Sequence, residues 1–140
     1  MLTNEEQLEL LQLLLIKDYD CAEKSLSGFV KSAWPVLEPK NQYIHNWHID
    51  LITEHLEAVS DGQIKRLIVN IPPRYMKSLC VSVMWPVWSW IKNPELRWIF
   101  TSYSQSLSTK HSIDRRQLIQ SEWFQNNWIN KFSLADVETM

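Results

Sequence analysis

The chain has 140 residues, 16 acidic and 14 basic, for a formal net charge of −2, with 45% hydrophobic and 21% charged residues. These are ordinary globular values, sized for one domain and one core. They argue against non-specific nucleic-acid binding by the whole surface while leaving a local basic patch open. Eight tryptophans against two glycines mean that turns must rely on Pro, Asn and Asp.

Acidic residues open the chain, and the apolar stretch 8–16 is interrupted by Glu9 and Gln12. That is neither a secretory leader nor a bilayer span. Cys21 and Cys80 have no CxxC partner and read as free, buried thiols of a reducing compartment, so the expectation is a soluble, cytoplasmic protein. Thr3-x-x-Glu6 fits a capping box ahead of a leucine-rich helix. Ser25 can cap a second helix through Lys31, ended by Pro35 and Pro39. A third helix runs from about Asn46 to Ser60 and closes on Asp61-Gly62, with Gly62 left-handed.

The pattern then changes. Leu67-Ile68-Val69-Asn70-Ile71 is a short apolar run that suits a buried strand. Residues 77–90 read as a helix with a break at Pro86. Asn93-Pro94 is a turn, and residues 98–103 read as a second strand. Ser104 and Ser121 can cap two further helices, and residues 131–140 show no periodicity. Strand, loop, helix, strand and helix in that order predict an α/β fold: a helical segment (1–60), an incomplete P-loop NTPase βαβ unit with parallel strands (61–130), and a frayed tail (131–140).

Between the first strand and its helix lies Ile71-Pro72-Pro73-Arg74-Tyr75-Met76-Lys77-Ser78. Against the pattern G-x-x-x-x-G-K-[ST], only Lys77-Ser78 match, and Ile71 and Met76 stand in the glycine positions. The physical requirements are met better than the pattern. A strand delivers the loop to a helix N-terminus, whose unpaired N–H groups favour anions. Lys77 can reach the β- and γ-phosphates, Ser78 can offer a hydroxyl to Mg²⁺, and Arg74 adds a forked cation. Met76 is the weak point, because a side chain there at positive φ is strained. Read plainly, Lys77-Ser78 is equally the solvated start of a helix. Trp85, Trp88 and Trp90 read as packing against the sheet. Arg115-Arg116, beside Asp114, read as a solvated helix face, with contact to DNA or to a neighbouring subunit's nucleotide as the alternative.

Trp34-Pro35-Val36-Leu37-Glu38-Pro39, Asn46-Trp47-His48, the run 62–74, Lys77-Ser78 and Ser102-Tyr103-Ser104 together resemble the N-terminal ATPase region of bacteriophage terminase large subunits, over about residues 29–128. The resemblance implies ATP and Mg²⁺ held by Arg74, Tyr75, Met76, Lys77 and Ser78. It places Trp47 and His48 where such enzymes contact adenine, whereas on its own Trp47 reads as a core aromatic. It further implies double-stranded DNA, a terminase small subunit and the portal of a prohead as partners, homo-oligomerisation, no membrane, and a bacterial host cell. An acidic pair ending a later strand is not found; Asp136 and Glu138 are a poor candidate. The expectation is therefore a partial motor that contributes the phosphate loop. A helicase-type P-loop fragment, an inert prophage remnant and a helical interaction module are the alternatives.

Overall fold

The computed structural model describes residues 3–131. Its elements are α1 (Asn4–Lys24), α2 (Leu26–Leu37), α3 (Trp47–Ser60), a π-helical segment (Leu79–Met84), α4 (Trp85–Lys92), α5 (Gln105–Gln120) and α6 (Glu122–Trp128). Among the described residues there is no strand and no sheet, so the expected α/β fold with parallel strands is overturned.

Most helix boundaries follow from local chemistry. The Thr3 hydroxyl accepts from the Glu6 N–H and the Glu6 carboxylate accepts from the Thr3 N–H, at 3.3 and 2.7 Å, completing the capping box. Ser25 alone separates α1 from α2 and serves both. Its N–H and hydroxyl donate to the Cys21 carbonyl, and its oxygen accepts from the Gly28 N–H. The chain packs so tightly there that a Cβ on Gly28 would lie 2.4 Å from the Cys21 oxygen. The Glu57 carboxylate of α3 accepts from the Leu26 N–H at 2.6 Å, a charge suited to the N-terminal end of α2. α2 outruns its expected end: Pro35 lies inside it. Asn46 caps α3, and Gly62 follows that helix at φ 77°. Ser121 caps α6 through the Phe124 N–H.

One apolar core joins all of these helices. It runs from Ala22, Phe29 and Val30 through Ile49 and Leu56 to Met84, Trp88, Leu118, Phe124 and Trp128. Trp88 is buried and its indole N–H donates to the Ala22 carbonyl, one of the orphan acceptors at the C-terminal end of α1. Trp85 and Trp90 reach Ser60 Oγ and the Leu96 carbonyl. The tryptophans therefore pack on a helical body rather than on a sheet. Cys80 is buried as expected, whereas Cys21 is exposed.

The two runs read as strands are extended but unpaired. Leu67, Val69 and Ile71 pack against the core, while Ile68 between them is 85% exposed. Trp98 and Phe100 stack 5.8 Å apart on one side, while Ile99 is 92% exposed. This is the two-residue alternation of a strand. A strand also needs a ladder, and neither run forms a backbone–backbone hydrogen bond with the other or with any described residue.

Candidate functional site

The loop 72–76 leaves the first extended run and enters the long helical stretch that begins at Lys77. Two of its residues take the left-handed conformation although they carry side chains: Arg74 at φ 71° and Met76 at φ 62°. Each costs about 1–2 kcal/mol relative to ordinary backbone. Met76 occupies the second glycine position of the phosphate-loop pattern, and its backbone takes the shape that glycine would supply there. Among the described residues, the N–H groups of residues 74–78 enter no hydrogen bond, and the Met76 carbonyl closes the first helical turn by accepting from Cys80. Alternating hand along such a run turns successive N–H groups toward one concave side, which suits an anion.

Arg74 and Ser78 are exposed and Lys77 is half-buried. No acidic side chain pairs with Arg74 or Lys77 among the described residues. Ser78 makes no capping bond, so its hydroxyl is free to ligate. No group of three or more His, Cys, Asp or Glu capable of holding a metal occurs among the described residues. Residues 132–140, with Asp136 and Glu138, lie outside them.

The structure brings the two halves of the expected nucleotide site together. The Tyr75 ring meets His48 edge-on at 5.4 Å, and His48 meets Trp47 at 6.3 Å, so an aromatic row links the start of α3 to the loop. Trp47 is 71% exposed and is not the core aromatic that its residue type suggests. Beside this row lies a cavity of about 290 Å³ between α3 and the first extended run, lined by Trp47, His48, Leu51, His55, Leu67 and Val69 among others. It is apolar, sits near the lower end of the usual ligand-site range, and has none of Arg74, Lys77 or Ser78 in its wall.

Two arrangements were not legible in the sequence. Arg115 is buried, 9% exposed, rather than part of a solvated face, and Asp114 pairs instead with Lys110 at 2.9 Å. Burial pushes the Arg115 pKa down. Separately, Ser27, Asp50, His45 and Tyr43 form one chain of hydrogen bonds at 2.7, 2.8 and 3.1 Å. The Ser27 hydroxyl, then His45, hold the Asp50 carboxyl below its ordinary value, and burial pushes Tyr43 up to about 12. With the carboxylate at its centre, this chain fixes the start of α3 against α2.

No protein-family model matches the chain, and no curated protein or solved structure is significantly similar to it. Among the described residues no helix is long and apolar enough to cross a membrane.

Proposed function

We propose that the chain contributes the ATP phosphate-binding loop of a bacteriophage DNA-packaging terminase large subunit. The observation that supports this most is the left-handed backbone at Met76 and Arg74, beside unpaired N–H groups and the cations Arg74 and Lys77. Strain of this kind persists where a site needs the conformation. In this reading the N–H groups and Lys77 hold the β- and γ-phosphates, Arg74 forks onto their oxygens, and Tyr75, His48 and Trp47 flank the base. Ser78 would offer its hydroxyl to Mg²⁺, which would supply charge neutralisation at the phosphates. Double-stranded DNA, a terminase small subunit, the portal and further copies of the subunit are the partners of the same proposal.

The test is thermal unfolding with and without Mg-ATP. At a hundredfold excess over Kd, binding adds about 2.7 kcal/mol, or a rise of roughly 10 °C for a chain of this size. Lys77→Ala should remove the rise. A rise that survives this substitution unchanged overturns the assignment.

A further inference from the structure

Leu8, Leu11, Leu15, Tyr19 and Ala22 follow one another at spacings of three and four, a single stripe along α1. The body covers only its end. Ala22 is fully buried and Tyr19 stacks on Trp128 at 5.4 Å. Leu8, Leu11 and Leu15 are 57–65% exposed, and Leu10 and Leu14 widen the exposed surface beside them. The capping box holds this overhanging half in helical form, so the leucines present one ordered face. At Leu15 the stripe runs into an open groove of about 570 Å³ between α1, α2 and α6, lined by Tyr19, Pro35, Val36 and Trp123. A stripe at helical spacing that ends in a groove between helices has the form of a seat for another helix.

Charge selects the occupant. α1 carries six carboxylates against two lysines, an excess larger than the −2 of the whole chain. Asp20 and Glu23 are already paired with Lys24 and Lys131. Glu5, Glu6 and Glu9 lie along the leucine half and form no ion pair among the described residues. A second copy would oppose like charges here, and so would an anionic membrane surface. We propose that the overhanging half of α1, with the adjoining groove, is a docking site for an amphipathic helix of a partner protein, with an apolar face and Lys/Arg flanks.

The probe is a blocked 20-residue Leu/Lys amphipathic peptide, titrated into the full chain by fluorescence anisotropy and followed by amide chemical shifts. A peptide of the same pattern with Glu for Lys is the control. The Leu/Lys peptide should bind at least tenfold more tightly than the Leu/Glu peptide, with shifts confined to α1, α2 and α6. Leu11→Gln with Leu15→Gln should weaken binding at least tenfold while circular dichroism stays unchanged. Ile113→Gln, at an exposed site on α5, should bind as the parent does. Glu5→Gln with Glu9→Gln, at exposed positions, should weaken binding and flatten its salt dependence. Equal affinity for both peptides, or full affinity in both the glutamine-for-leucine and glutamine-for-glutamate variants, overturns the proposal. So does self-association in sedimentation that the Leu11/Leu15 variant abolishes, which would make a second copy the occupant.

Discussion

The Arg115 guanidinium donates to the Ser82 carbonyl at 2.5 Å and lies 3.7 Å over the Phe100 ring. The cause sits four residues after Ser82. In a regular α-helix the Ser82 carbonyl would accept from residue 86, and Pro86 has no N–H to give. The helix responds by widening: Leu79–Met84 is π-helical, and the Trp85 N–H reaches back to Cys80. Arg115, arriving from α5, satisfies the freed carbonyl. Arg115→Met should therefore cost about 2–3 kcal/mol in urea unfolding, from an orphaned carbonyl and a lost cation–π contact. Pro86→Ala restores the missing donor, so Arg115→Met should cost about 1 kcal/mol less in that background. Equal costs in both backgrounds would break the link between Pro86 and Arg115.

This relationship shows where sequence reading stops. The caps at Thr3, Ser25, Asn46 and Ser121 were legible because each side-chain bond spans no more than three residues in the chain. The break at Pro86 was legible as a place, but its consequence depended on Arg115, 33 positions beyond the Ser82 carbonyl that the proline leaves without a donor. The strands were misread for a similar reason. Leu67, Val69 and Ile71 do alternate with exposed neighbours, yet a strand is defined by a ladder partner that local pattern does not supply. Of the loop between them, the sequence offered the residue types, Arg74 and Lys77-Ser78, and not the backbone shape. Its left-handed turns ran against residue preference at Met76. Trp47 was misjudged because residue type favours burial, while the face it occupies on α3 points away from the core.

Arg74 tests whether the loop trades stability for its shape. It is exposed and left-handed at φ 71°, and its side chain makes no described hydrogen bond or ion pair. Arg74→Gly removes the steric penalty and should stabilise the fold by up to about 1 kcal/mol. If the proposed nucleotide site is right, the same substitution should also weaken Mg-ATP binding, since it removes the cation assigned to the phosphates. Loss of stability in Arg74→Gly would show that the conformation carries no strain.

The aromatic row makes a separable prediction. If Trp47 and His48 flank the base, Trp47→Ala should weaken ATP binding by about tenfold, the value of roughly 1.4 kcal/mol of stacking. Affinity for inorganic tripolyphosphate, which has no base, should not change. Calorimetric titration of both ligands decides the matter. Equal losses for the two would place Trp47 in support of the loop rather than against adenine.

Gly28 sits in the first turn of α2, against the last turn of α1. A Cβ there would meet the Cys21 oxygen at 2.4 Å and its carbon at 2.7 Å, and both are backbone atoms that cannot swing aside. Gly28→Ala should destabilise the chain by about 1–3 kcal/mol despite alanine's better helix propensity. A neutral or stabilising result would mean that the α1–α2 junction opens freely.

Cys80 gives the chain a measurable alkaline limb. Burial pushes its thiol from 9.0 up to about 12. The unfolded chain ionises from about pH 9 while the folded one stays protonated, so the unfolded state binds fewer protons there and stability falls as pH rises. The contribution is fully present below pH 9 and is lost progressively toward 12. The slope approaches about 1.4 kcal/mol per pH unit once the unfolded thiol is ionised. Tyr43, moved by burial from 10.0 to about 12, adds the same sign above pH 10, so the window from 9 to 10 reports mainly on Cys80. Chemical unfolding across that window should show the decline in the parent and a flatter profile in Cys80→Val. An identical slope in both would mean that the thiol is not the group that titrates.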